Sequence, residues 1–143
     1  MPRLLVIDEE MNKRLATELG RRGKSACGLL SLLPRGMKDP DLLARLAATS
    51  PDAVLITGDD AMPLDHPDAV AKTSISIAIV HPEPQPGFTP DHWDAEIVHR
   101  WAHRIELQAP GAVRRYTING SGPWQPRKRP RPATTGRPVS LGT

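Results

Sequence analysis

The sequence predicts an α/β fold, a mostly parallel central sheet flanked by helices, in one domain over residues 1–120 followed by a disordered basic tail at 121–143. Three observations predict it. Leu4-Leu5-Val6-Ile7, Ala53-Val54-Leu55-Ile56-Thr57 and the Ile-rich run 74–80 are short apolar segments of the kind a strand buried on both faces requires. Between them lie stretches whose apolar residues recur at helical spacing. Strands that alternate with helices favour parallel pairing through helical crossovers.

The elements follow in order. The first strand covers residues 3–7 and ends in Asp8-Glu9-Glu10. Met11, Leu15 and Leu19 then repeat every four residues, an amphipathic helix that closes near Gly20 or Gly23. Residues 26–33 supply a second short strand before the loop marked by Pro34 and Gly36. Asp39-Pro40-Asp41 has the form of a helix start: a capping side chain, Pro at the first helical position and an acid in the first turn. Leu42, Leu43, Leu46 and Ala47 give that helix its buried face, and Ser50-Pro51-Asp52 ends it. Residues 53–57 form the next strand, followed by Gly58-Asp59-Asp60. Pro63 and Pro67 frame an irregular or short helical piece before the strand at 74–80. Pro82, Pro84, Pro86 and Gly87 make a loop, and Thr89-Pro90-Asp91 opens the longest helix, about 90–107, with Trp93, Ile97, Trp101 and Ile105 on its buried side. Residues 113–118 close the ordered region as an edge strand.

Charge divides the chain. Residues 1–106 hold all 16 acids against 12 Lys and Arg, a net of −4, whereas residues 107–143 hold no acid and 7 Lys and Arg. Arg127, Lys128, Arg129, Arg131 and Arg137 are interleaved with prolines, a composition that buries too little apolar area to offset the entropy of ordering it. Such a tail serves solubility, or attraction to RNA phosphates or an acidic partner. The single cysteine, Cys27, allows no internal disulfide. The apolar run after Met1 is too short for a signal peptide, and no stretch approaches a membrane span, so a cytoplasmic location without membrane contact is expected.

In a parallel sheet, ligands gather outside the carboxyl ends of the strands. Two strands end in acids, and the Asp39 helix start reaches the same edge if its crossover is short. Asp8, Glu9, Glu10, Asp39, Asp41, Asp59 and Asp60 are therefore candidates for one rim. Like charges a few ångströms apart repel by roughly 4 kcal/mol per pair at a near-surface dielectric. A hard divalent cation with oxygen ligands relieves that repulsion, and such an ion activates water and clamps a phosphodiester. Each acid also has a local role available to it, as helix cap, turn residue or first-turn acid. His92, Glu96, His99 and His103 share a helical stripe that is read as a solvated face rather than a zinc site. Trp124, in Gly-Ser-Gly-Pro-Trp, is an isolated aromatic in the tail that suits a partner contact.

Ile7-Asp8-Glu9-Glu10, then Gly36-Met37-Lys38-Asp39-Pro40-Asp41-Leu42-Leu43, then Leu55-Ile56-Thr57-Gly58-Asp59-Asp60 follow the order and spacing of the PIN-like ribonucleases. In particular, the chain resembles the short variants that act as toxins in bacterial type II toxin–antitoxin pairs. Residues 3–62 carry the resemblance. It implies a PIN-like domain in which Asp8, Asp39 and Asp59 are catalytic and hold Mg²⁺ or Mn²⁺. Thr57 matches the family threonine, and Glu9, Glu10, Asp41 and Asp60 support the site. It further implies RNA as substrate, an antitoxin protein as partner and a homodimer. Lys13, Arg14, Lys38, Arg127, Lys128 and Arg129 are the cations expected to hold RNA. Glu10 stands where the family has asparagine, and Ala61 where it has a last aspartate, with Asp60 one residue early.

Two other readings remain open from sequence. Leu5-Val6-Ile7-Asp8-Glu9-Glu10 and Pro51-Asp52-Ala53-Val54-Leu55-Ile56 also resemble the first and phosphoacceptor strands of receiver domains. Against this, the phosphoacceptor position falls near Thr57, and His81-Pro82 stands where that family carries a lysine. The third is a catalytically inactive PIN-like interaction domain.

Overall fold

The computed structural model describes residues 3–37, 39–81 and 90–125, with the backbone alone at residues 39 and 90–93. The elements run β1 (Leu5–Ile7), α1 (Leu15–Arg21), β2 (Ala26–Gly28), a 3-10 turn (Leu29–Ser31), α2 (Asp39–Thr49) and β3 (Val54–Thr57). There follow α3 (Ala61–Asp65), α4 (Pro67–Lys72), β4 (Ser76–Val80), α5 (Pro90–Ile105), β5 (Val113–Tyr116) and β6 (Ser121–Pro123). The strands form one sheet in the order β2-β1-β3-β4-β5-β6. All neighbours are parallel except β5 and β6, which pair antiparallel. The expected α/β class, with a mostly parallel sheet between helices, is therefore the observed one.

The alternation of side chains along each strand splits the core in two. Leu5, Ile7, Val54, Ile56, Ala78 and Val80 point to the face covered by α1 and α5, where Leu15, Leu19, Ile97 and Ile105 are buried. Val6, Leu55, Ile77 and Ile79 point to the opposite face, covered by Leu42, Leu43 and Leu46 of α2, Met62 of α3 and Val70 of α4. Every residue of β1, β3 and β4 is buried, which accounts for their continuous apolar sequences.

Local signals set the boundaries. Helix α1 stops at a left-handed Gly23 (φ 83°), with Gly23 N–H donating to the Gly20 carbonyl and Lys24 N–H to the Leu19 carbonyl, the paired bonds of a Schellman ending. The helix begins at Leu15, later than its apolar spacing suggests. Met11 sits in the preceding turn and is still buried against the sheet. Helix α5 is pinned to the β5–β6 connection by Trp101 Nε1, which donates to the Thr117 carbonyl at 2.8 Å.

The end of the sheet differs from expectation. β5 is not the edge, because β6 pairs beside it through Arg114↔Pro123, Arg115↔Gly122 and Tyr116↔Ser121. The sheet thus runs past residue 120, into the segment read as tail. Trp124 is not isolated either: it packs against the core, and its N–H donates to the Val113 carbonyl at 3.0 Å. Gly122 and Pro123 read as breakers, yet the outermost strand tolerates both, since one side of its backbone needs no ladder partner. Arg127, Lys128 and Arg129, with the rest of the tail from 126 onward, lie outside the described residues, as does the loop at 82–87. Among the described residues, no helix is long and apolar enough to cross a membrane.

Candidate functional site

Helices leave β1 towards β2 on one side and reach β3 on the other, so the strand order reverses between β1 and β3. In sheets of this kind that reversal opens a crevice at the carboxyl ends of the strands. Asp8 follows β1 directly, and Thr57 is the last residue of β3. Parallel pairing of Ile7 with Ile56 brings those two ends level, and Asp8 N–H continues the ladder to the Ile56 carbonyl at 2.9 Å.

Thr57 is the centre of the arrangement. It is 4% exposed, and its hydroxyl lies 2.8 Å from Asp8 Oδ2 and 3.0 Å from Glu10 Oε1. The same hydroxyl oxygen accepts the Asp59 N–H at 3.1 Å. Glu10 Oε1 also accepts the Gly58 N–H at 3.1 Å, and Asp8 Oδ1 accepts the Glu9 N–H at 2.8 Å. A hydroxyl has one proton to give. Thr57 therefore satisfies only one of its two carboxylate neighbours at a time, and the other faces a lone pair. Burial and the Asp8 charge, with a smaller push from Asp59, raise the Glu10 carboxyl above its ordinary range, against the lowering effect of the Thr57 and Gly58 hydrogen bonds.

The remaining predicted residues divide. Glu9 turns away to Arg35, at 3.5 Å. Asp59 is exposed, and its Oδ1 accepts the Ala61 N–H at 2.8 Å, so it closes the turn into α3. Its charge is nevertheless felt at Glu10. Asp60 is buried at the start of α3, and Asp41 is exposed on α2. Asp39 opens α2, which carries the chain from the carboxyl end of β2 to the amino end of β3; its helix therefore starts at the edge where Asp8 lies. The Asp39 side chain and Lys38 lie outside the described residues. Lys13 and Arg14 are exposed just before α1, within the same turn region as Asp8.

Among the described residues, no group of three or more His, Cys, Asp or Glu side chains stands ready to hold a metal ion. What the crevice does provide is the carboxylate pair Asp8 and Glu10, both on one hydroxyl. Hard, all-oxygen donors of that number suit Mg²⁺ or Mn²⁺, which take one or two carboxylates and complete their shell with water and substrate phosphate. The donor set fits such an ion.

The helical histidine stripe is not uniformly solvated as expected. His99 is largely covered and its Nε2 lies 3.2 Å from Glu18 Oε1 of α1, because α5 and α1 share one face of the sheet. His103 is exposed and its Nδ1 lies 3.1 Å from Glu106. Sequence reasoning also missed Asn12, Leu30 and Arg35, which line a cavity beside Asp8 with Lys13. They come from separate turns and carry no common spacing. Comparison with protein-family models, curated proteins and solved structures finds no match to this chain.

Proposed function

We propose that the protein is a metal-dependent endoribonuclease of the PIN-like type, acting as the toxin of a toxin–antitoxin module. The observation that carries this reading is the shared Thr57 hydroxyl between Asp8 and Glu10 at the strand-order reversal. It sets two carboxylates on one hydroxyl, a pair that a divalent cation would complete. Asp8 and Glu10 would hold Mg²⁺ or Mn²⁺, with Asp39 and Asp59 as the further acids that the family resemblance assigns to it. When bound, the ion supplies an activated water and charge neutralisation on the phosphodiester. Thr57 orients both carboxylates. Lys13 and Arg14 near the crevice, with Lys38 and with Arg127, Lys128 and Arg129 of the tail, would hold the RNA backbone. An antitoxin partner, a homodimer and a cytoplasmic setting follow from the same sequence reading.

The strand order also suits a receiver domain. Thr57 at the strand end and the engagement of Asp59 by Ala61 N–H both weigh against a phosphoacceptor there. One experiment addresses both readings. The full chain is incubated with labelled single-stranded RNA in Mn²⁺, in EDTA, and as Asp8→Asn. Cleavage in Mn²⁺ that is lost in EDTA and reduced at least about 100-fold in Asp8→Asn is expected. Undiminished cleavage in Asp8→Asn refutes the site. A labile acyl phosphate acquired from a small phosphodonor instead would establish the receiver reading.

A further inference from the structure

Immediately beside the carboxylate pair, between the ends of β1 and β2, the surface opens into a cavity of about 330 Å³. Its inner wall is apolar, made by Ile7, Met11, Ala16 and Leu29, and Leu30 forms a lip that is 40% exposed. Its polar lining combines two cations, Lys13 and Arg35, with the Asn12 amide and two carboxylates, Asp8 and Glu9. Asn12 Oδ1 already accepts the Arg14 N–H at 2.9 Å, which leaves the Asn12 amide hydrogens as the part free to meet a ligand. The Arg35 side chain is 79% exposed and only loosely paired, at 3.5 Å, with Glu9. Lys13 adds an ammonium, and Asp8 itself lies in the wall.

Three properties together select an occupant. The volume lies at the low end of small-molecule sites, roughly 300–1,000 Å³, and so suits one base with its sugar rather than a stacked pair. An apolar floor beneath a guanidinium accepts the faces of a flat aromatic ring, and unstacked RNA bases are held in this way, on aromatic or Arg planes. Cationic donors at the mouth match a phosphate. A bare aliphatic side chain would leave the rim cations without a counterpart, and a free anion would leave the apolar wall uncovered.

We propose that this cavity holds one unstacked nucleotide of single-stranded RNA, next to the phosphodiester that lies at Asp8 and Glu10. The base packs against Leu29 and Leu30 under Arg35, and its phosphate meets Lys13. The assignment rests on the nuclease reading for its substrate. Since Asp8 belongs to both cavity and carboxylate pair, the bound base is adjacent to the bond that would be cut. The cavity is thus a specificity pocket, and cleavage should depend on base identity at that one position.

The test is an amide and methyl NMR titration of the full chain in EDTA, where no cleavage occurs, with each of the four nucleoside 5′-monophosphates and with a tetranucleotide RNA. Shifts are expected at Ala16, Gly28 and Leu30, with the tetranucleotide bound more tightly than the mononucleotides. Ala16→Leu narrows the cavity from inside, and Leu30→Glu places a negative charge at its lip on an exposed position that folding does not depend on. Each should weaken binding about tenfold or more. Cleavage of RNA libraries in Mn²⁺ is read in parallel. RNA cleavage by the wild-type chain without shifts at these residues, and with unaltered base preference in both variants, overturns the pocket and leaves the nuclease reading intact. Shifts at these residues with no cleavage uphold the nucleotide site and overturn the nuclease reading. Binding of mononucleotides but not of the tetranucleotide overturns the assignment to an RNA strand.

Discussion

Replacing Glu10 by Gln should stabilise the metal-free protein at neutral pH, and the size of the effect follows from the Thr57 geometry. Oxygens of Asp8 and Glu10 lie 2.8 and 3.0 Å from one hydroxyl, so they are at most 5.8 Å apart, the two distances laid end to end. Two unit charges at that separation repel by about 0.7 kcal/mol in bulk water and about 3 kcal/mol at a near-surface dielectric of roughly 20. Glu10 is only partly withdrawn from solvent, so the lower part of that range applies, about 1 kcal/mol. The amide keeps a carbonyl oxygen for the Gly58 N–H and brings a donor to the crowded hydroxyl. The sign of the pH dependence is fixed by the raised carboxyl. A group that binds its proton more tightly when folded contributes stability below its unfolded pKa, ordinarily 4.5, and loses it as pH rises through the higher folded value. Glu10→Gln should therefore gain about 1 kcal/mol over wild type in urea unfolding at about pH 7.5 with EDTA, and nothing at about pH 3.5. Adding millimolar Mg²⁺ should close the neutral-pH gap by stabilising the wild-type chain alone. An equal gain at both pH values, or a loss at neutral pH, refutes the account of repulsion between Asp8 and Glu10.

Two further outcomes bear on the frame that holds the site. Burial would push the Glu106 carboxyl up, but hydrogen bonds from Lys24, at 2.7 Å, and from His103 outweigh it and hold it below its ordinary range. This stability is present above the unfolded carboxyl pKa and is lost as pH falls through the depressed folded value. Lys24→Met should cost about 2 kcal/mol at neutral pH, less than a fully buried pair because Lys24 and His103 reach solvent, and the deficit should shrink in acid unfolding curves. Trp124→Ala should destabilise by about 2 kcal/mol in urea, less than a fully buried tryptophan, whereas a chain ending at Gln125 should retain wild-type stability.

The fold was legible where a single segment carried its own signal. β1, β3 and β4 are buried on both faces, so no polar residue interrupts them, and α5 holds Ile97 and Ile105 at helical spacing on its covered side. β2 was legible only in outline, because Ala26-Cys27-Gly28 is half-buried and needs no large side chains beside β1. β6 was hidden by its own composition. Ser-Gly-Pro has no strand propensity, and what orders it is pairing with β5 and the seating of Trp124 in the core, neither of which is a local property. At the site, Asp8 and Thr57 could be read from strand ends. The part played by Glu10 could not, since its reach to Thr57 and to Gly58 N–H depends on how the turn after β1 folds back across β3.

That turn also explains why adjacent glutamates have different characters. Glu9 swings outward to Arg35 and acquires a cation, while Glu10 swings inward and meets only a hydroxyl and a backbone N–H. Had the two exchanged directions, the Arg35 guanidinium would face the crevice beside Asp8. Instead it lines the neighbouring cavity, paired with Glu9. On the proposed nuclease reading, these groups would act on different parts of one nucleotide chain, the carboxylates at the bond to be cut and the cation over the base beside it.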